Sequence, residues 1–251
     1  MNAARTPPCV LVFSGLDPSG GAGIGADLLA IAAQGVHALP VVTALTVQDH
    51  NRAYEAVPVD AALLERQAGA LMASVAIAAV KIGIPGSAAN ALAIARVIGQ
   101  LRARQPQLPV VLDPVLASGG GDALGQGDAR AALAPLLALA TVVLPNLGEA
   151  AALELEGCRN VLVTGGHGQG EQVVNRWRGD GVERAWRWPR LDGEFHGSGC
   201  TLAAALAARL ALGEAMEQAL EHAQAYVARA LAQAYAIGAG QRIPRRIALS
   251  T

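Results

Sequence analysis

Val10-Leu11-Val12-Phe13-Ser14-Gly15-Leu16-Asp17-Pro18-Ser19-Gly20-Gly21-Ala22-Gly23-Ile24-Gly25 is the stretch on which the fold turns. Residues 10–14 form a short apolar, β-branched run that predicts a strand. Five glycines follow among the eleven residues from Gly15 to Gly25, and residues 22–34 then take up helical spacing. The same cadence recurs downstream. Strands are predicted at 40–47, 78–83, 110–113, 141–144 and 160–164, with helices at 60–74, 87–104, 128–139 and 147–156. Strands joined by crossover helices imply an α/β fold, a mostly parallel sheet covered on both faces. A small hairpin follows, 173–178 and 184–189 around Gly179-Asp180-Gly181, and two Ala-rich helices at 198–212 and 214–235 end the pattern. No linker or repeat divides the chain, so a single domain is expected over residues 1–251.

Composition narrows the function classes. The 251 residues are 53% hydrophobic with a net charge of −1, which argues against a nucleic-acid partner, a polybasic membrane binder or a disordered tail. No apolar run reaches about 18 residues, and the opening MNAARTPP has no signal-peptide pattern. Three scattered cysteines suit neither a disulfide framework nor a zinc site, so a cytoplasmic setting is expected. Of the 19 basic residues only Lys81 is lysine. In a chain that otherwise uses arginine, a surviving lysine marks a place for a compact ammonium, unless it survives by chance.

Ligands of a parallel sheet gather beyond the carboxyl ends of its strands. Gly21-Ala22-Gly23-Ile24-Gly25-Ala26, with Asp49 downstream, matches a dinucleotide fingerprint. That fingerprint needs its first glycine directly after the strand, and here a broad loop intervenes. The alternative is a loop whose backbone amides approach a small polar ligand. His196-Gly197-Ser198-Gly199-Cys200-Thr201 precedes a second helix, whose first-turn amides suit a phosphoryl group. Gly197, Ser198, Gly199, Cys200 and Lys81 are therefore the candidate catalytic residues. A helix N-terminus is expected to lower the Cys200 thiol pKa and to let a thiolate take a hydroxyl proton; a buried structural cysteine is the plain alternative. Asp113 and Glu149, both after predicted strands, are the candidate Mg²⁺ ligands. No Walker lysine follows a glycine run, which disfavours a P-loop NTPase.

These motifs, in order along nearly the whole chain, resemble the hydroxymethylpyrimidine/phosphomethylpyrimidine kinases of thiamine biosynthesis within the ribokinase-like superfamily. The resemblance rests on residues 14–28, Thr43-Ala44-Leu45-Thr46-Val47-Gln48, Lys81-Ile82-Gly83, Leu112-Asp113-Pro114-Val115, Pro145-Asn146-Leu147-Gly148-Glu149-Ala150, Gly165-Gly166-His167 and residues 196–201. Related sugar kinases carry Asp where this chain has Cys200. The resemblance implies a three-layer αβα fold, a homodimer, and phosphorylation of 4-amino-5-hydroxymethyl-2-methylpyrimidine and its monophosphate with ATP and Mg²⁺. It implies that Gln48 reads the aminopyrimidine edge and that Gly15, Asp17, Ala22 and Ile84 complete the substrate site. Asn146, Thr164 and Gly166 fall on the nucleotide side, with Glu149 arranging Mg²⁺.

Pyridoxal kinase is the alternative enzyme, and a pyrimidine-binding regulatory protein the alternative of another class. Two departures bear on them. Thr164 stands where many relatives have Lys, and only about ten residues join Glu149 to the next strand, as if a crossover helix were missing. Both imply a more open nucleotide side that depends on another cation. His167 and His196 are read as loop hydrogen-bonders, and Trp177, Trp186 and Trp188 as hairpin packing at a candidate dimer contact.

Overall fold

The apolar runs at 9–15, 77–82 and 110–112 are buried almost throughout and form the centre of one sheet. The computed structural model describes residues 6–117, 128–166 and 168–247; His167 lies outside them. Among the described residues the strands are β1 (Cys9–Leu16), β2 (His37–Gln48), β3 (Ala53–Pro58), β4 (Ile77–Ile82), β5 (Val110–Leu112), β6 (Val142–Val143), β7 (Asn160–Val163), β8 (Gln172–Gly179) and β9 (Val182–Pro189). The helices are α1 (Gly23–Ala32), α2 (Ala61–Ser74), α3 (Ala88–Arg104), α4 (Ala129–Leu137), α5 (Leu147–Ala152), α6 (Ser198–Ala211) and α7 (Met216–Ala232). The strands join in the order β3-β2-β1-β4-β5-β6-β7-β8-β9. Pairing from β2 through β1 to β7 is parallel, and β3, β8 and β9 add antiparallel edges.

Two cores sandwich the sheet. Leu11, Phe13, Val80, Ile82 and Leu112 point toward α2, α3 and α4, which contribute Leu64, Ile94, Ile98 and Leu133. Val10, Val12, Ala79 and Val111 point the other way, toward Ile24 and Ile31 of α1 and the alanine stripe of α6. Alternate residues of one strand thus serve opposite layers, the period of a pleated strand. Capping residues set the helix starts: Asp60, Ser87 and Asp128 accept backbone N–H bonds at the heads of α2, α3 and α4.

Strand β3 was not expected, because Ala53-Tyr54-Glu55-Ala56 carries little apolar alternation; it forms by pairing with the end of β2. The crossover from β6 to β7 is present but reduced to the six residues of α5, which ends before the predicted 156. The hairpin turn is Asp180-Gly181, both at positive φ (50° and 78°), the two-residue form that matches strand twist. Trp177 and Trp186 are buried on the core shared with α6 and α7, and Trp188 donates to Gln224 of α7. These rings pack within the chain's own hairpin and against α7. No helix among the described residues is long and apolar enough to cross a membrane.

Strand order reverses between β1 and β4, each following a different neighbour outward. At such a switch point the loops leave in opposite directions and open a crevice beyond the carboxyl ends of the strands. The loop after β1, Gly83, Asp113 and the start of α6 all lie there.

Candidate active site

The first glycine loop is knotted on itself. Asp17 Oδ1 accepts from the Ser19 amide (2.8 Å), and Oδ2 accepts from the Ala22 amide (2.8 Å) and the Ser19 hydroxyl (2.9 Å). The amide of Gly20 reaches the Asp17 carbonyl and that of Gly21 the Ser19 hydroxyl. His196 Nε2 lies 2.8 Å from Asp17 Oδ2, as expected of a loop hydrogen-bonder. These bonds hold the Asp17 carboxyl below the ordinary carboxylate range against the opposing effect of burial. Asp17, expected in the substrate site, directs its carboxylate to the Ser19 and Ala22 amides, the Ser19 hydroxyl and His196. Asp17 shapes the loop, because a buried carboxylate this close to two loop amides and a hydroxyl is their natural acceptor.

The second cluster is open. Gly197 caps α6 with φ 76° and no side-chain hydrogen bond. The two clusters touch: a Cβ on Gly197 would fall 2.0 Å from the Gly21 carbonyl oxygen and 2.9 Å from Ala22 Cα. Gly23 and Asp113 both neighbour the Cys200 thiol. Only glycine tolerates both the left-handed backbone and this approach. The expected acidic thiol is not found. Burial pushes the Cys200 pKa up to about 12, overriding nearby Lys81, while Asp113 and Asp27 oppose a second negative charge.

Beneath the junction, Lys81 of β4 and Asp27 of α1 pair at 2.8 Å with no side-chain exposure, and Lys81 Nζ lies 3.5 Å from Ser14 Oγ. Burial works against the ammonium, but Asp27, Cys200 and Asp113 together hold its pKa above the usual lysine value. The lone lysine thus sits as a wholly buried cation paired with Asp27. Its partner Asp27 was given no role from the sequence, although Asp at the core-facing spacing Ile24, Asp27, Ile31 was a visible signal.

Asp113 and Glu149 face the same region. Burial, opposed by Lys81, pushes Asp113 up to about 6; burial and then the Asp113 charge push Glu149 up to about 7. Asp113 Oδ2 is buried without a hydrogen-bond partner. Two strained carboxyls, one with an orphaned oxygen, fit a divalent cation shared with substrate phosphates, which requires only one or two protein carboxylates. Asn146 and Glu149 close a capping box at the head of α5. Thr164 bridges Asn146 and donates to the Pro145 carbonyl, and the Gly166 carbonyl accepts from Arg190 (2.7 Å). Arg190 also donates to the carbonyls of Gly165, Gly170 and Gln172. It sets a cation in the loop after Thr164, which carries none. Nothing distinguished it among the chain's arginines.

Gly15 and Ile84 meet at the ends of β1 and β4. A Cβ on Gly15 would stand 2.5 Å from Ile84 Cδ1, so the two are face to face. Thr43 Oγ1 donates to the Ile84 carbonyl (2.6 Å), fixing that wall. Gln48 ends β2, half-buried, where the register with β3 shifts. Ala22 packs against Gly197 and so belongs to the junction.

Residues 17–244 match the family model described as phosphomethylpyrimidine kinase. The hydroxymethylpyrimidine/phosphomethylpyrimidine kinase of Streptomyces coelicolor is 36% identical over 256 residues, covering 94% of this chain and 93% of that protein. The thiamine biosynthesis multifunctional protein ThiED of Corynebacterium efficiens is 36% identical over 220 residues; the match covers 79% of this chain but spans only 29% of that longer protein. An ADP complex of Bacillus subtilis pyridoxal kinase superposes with a TM-score of 0.83 at 24% identity, covering 96% of this chain and 98% of that one. The sheet order, the junction of the two glycine clusters and the matched span agree: the chain belongs to the phosphomethylpyrimidine kinase family, with the ribokinase-like α/β fold.

Proposed function

We propose that the protein transfers the γ-phosphoryl group of ATP to the hydroxymethyl oxygen of 4-amino-5-hydroxymethyl-2-methylpyrimidine, and phosphorylates the monophosphate again to the diphosphate. The observation that carries this reading is the contact of the two glycine clusters at Gly21, Gly23, Gly197 and Cys200. An alcohol held on one side is thereby within reach of a phosphoryl group held on the other.

The pyrimidine lies between Gly15 and Ile84, with the Gln48 amide offering a donor and an acceptor to its amino-substituted edge. The amides of Ser198, Gly199 and Cys200 face the transferred group and stabilise its equatorial oxygens. Lys81 adds positive potential from below. Cys200 takes the hydroxyl proton as the new P–O bond forms and the bridge bond to ADP breaks. With a pKa of about 12 the thiolate is the minor form at neutral pH, so the rate rises with pH. Asp113 and Glu149 would hold Mg²⁺, which supplies charge neutralisation to the phosphates. Asn146, Thr164 and Gly166 border the nucleotide. The setting this requires is the ATP-containing cytoplasm. A homodimer is the assembly we propose, through the exposed apolar row Leu16, Leu45 and Val57 that runs across β1, β2 and β3.

Phosphorus NMR of the products from the pyrimidine alcohol, ATP and Mg²⁺ tests the reaction: a monophosphate followed by a diphosphate is expected, and unchanged ATP overturns it. The superposition on pyridoxal kinase favours one second reading, a pyridoxal kinase. A parallel assay with pyridoxal decides, a large preference for pyridoxal replacing the pyrimidine assignment.

A further inference from the structure

The side chain of Arg246 is one of the few buried charges outside every glycine motif, at 4% exposure. Its Nε donates to Thr201 Oγ1 (2.9 Å), and its Nη2 to the carbonyls of Gly21 (2.5 Å) and Gly197 (3.4 Å). Thr201 Oγ1 in turn donates to the Gly197 carbonyl (2.7 Å). Two carbonyl oxygens, one from each glycine cluster, therefore converge on one guanidinium. Their negative ends would repel across a dry contact without a cation between them.

Arg246 is itself held from several sides. Tyr226 of α7 donates its hydroxyl to the Arg246 carbonyl (2.8 Å). The segment before it pairs Arg242 with Phe195, immediately upstream of His196 and Gly197, and Ile243 with Tyr235. The amide of Arg245 reaches the Ala230 carbonyl. A strap of residues 242–246 thus runs from the second cluster to α7 and delivers one charge to the junction.

We infer that Arg246 is a positioning residue for phosphoryl transfer, a buried clamp that fixes the first glycine loop against the head of α6. Its side-chain hydrogen bonds among the described residues go to protein acceptors, so it acts through Gly21 and Gly197 and not on substrate. The inference rests on the functional reading above in taking those clusters as the reacting centre. A planar fork suits these acceptors, Nε meeting Thr201 while Nη2 meets both carbonyls, a spread that a point-like ammonium matches only in part.

The test combines steady-state kinetics with hydrogen exchange on Arg246→Gln, Arg246→Lys and Tyr226→Phe. For Arg246→Gln, kcat falls at least about tenfold while both KM values stay within about threefold, the signature of lost alignment and not lost binding. Amide exchange in residues 20–23 and 197–200 accelerates together, and the amides of β1 and β4 remain protected. Arg246→Lys recovers part of kcat. Tyr226→Phe, which only loosens the strap, lowers kcat in the same direction and keeps the test open should Arg246→Gln fail to fold. Parental kcat in folded Arg246→Gln, parental kcat and exchange in Tyr226→Phe where Arg246→Gln does not fold, or exchange accelerated evenly across the sheet overturns the inference. If the unaltered protein transfers no phosphate to the alcohol, the functional reading falls instead, and the exchange data still decide the clamp.

Discussion

The two glycine clusters look alike in sequence and behave oppositely in structure. In the loop after β1, Asp17 gathers the amides of Ser19 and Ala22, and the amides of Gly20 and Gly21 close onto the Asp17 carbonyl and the Ser19 hydroxyl. At the head of α6, Gly197 has no side chain to cap the helix, and no side-chain hydrogen bond caps it. Glycine richness therefore says that backbone can come close, not that its donors are free. What separates a shaped wall from an anion site is whether a neighbouring carboxylate has already taken the amides.

Cys200→Ala sharpens this contrast most. The catalytic side is expected to lose about 10²–10⁴-fold in kcat, the usual span for a general base, measured with the pyrimidine alcohol at saturating ATP. The unaltered enzyme's kcat continues to climb above pH 8, in line with a thiol pKa near 12. A pH-independent rate, or near-parental turnover in the alanine variant, would reduce Cys200 to scaffold.

Lys81→Arg comes next. The charge is kept, but the wholly buried site beside Ser14 and Gly83 has no space for the larger head, and at least about a tenfold loss of kcat is expected. Equal activity would show that the lone lysine carries no steric meaning.

Asp113→Asn separates activity from stability. Asp113 binds its proton more tightly folded than unfolded, so its contribution to stability is full below the ordinary value of 3.8 and is lost as pH rises through about 6. Without added Mg²⁺, the melting temperature of the unaltered protein therefore falls between pH 4 and 7. Asp113→Asn flattens that decline while lowering turnover, and thermal melts across this range check it. An unchanged slope would mean that the orphaned oxygen is not a source of strain.

Asp17→Ala acts on the shaped wall. Several N–H donors lose a charged acceptor, and a loss of about 1–3 kcal/mol in unfolding free energy is expected, with KM for the pyrimidine raised more than kcat is lowered. A kcat loss as large as that of Cys200→Ala would erase the distinction between the clusters. The smallest effect belongs to Arg190→Gln, which frees the loop after Thr164 and is expected to raise KM for ATP about two- to fivefold with little change in kcat. An unchanged KM for ATP would leave Thr164 without a compensating cation.

Much of the site was readable because the chemistry is local. Gly197, Gly199 and Cys200 adjoin in sequence, and Asp113 and Glu149 announce themselves as charges after apolar runs. Asp27 was readable in principle, as a carboxylate on the buried stripe of α1. Arg190 and Arg246 were not, since one arginine among many has no local mark; what sets them apart is which carbonyls they meet from far along the chain. The edge strand β3 escaped for a similar reason, being made a strand by β2 and not by its own pattern.

By itself the sequence determined the layered α/β arrangement, the helix starts and the place where polar residues crowd the sheet edge, because periodicity, capping and turn chemistry act between near neighbours. Only the tertiary structure decided that Asp17 closes its own loop and meets His196, that burial pushes the Cys200 pKa up, and that Arg246 joins the two clusters. Those outcomes depend on desolvation and on partners distant along the chain, and both exist only once the molecule has folded.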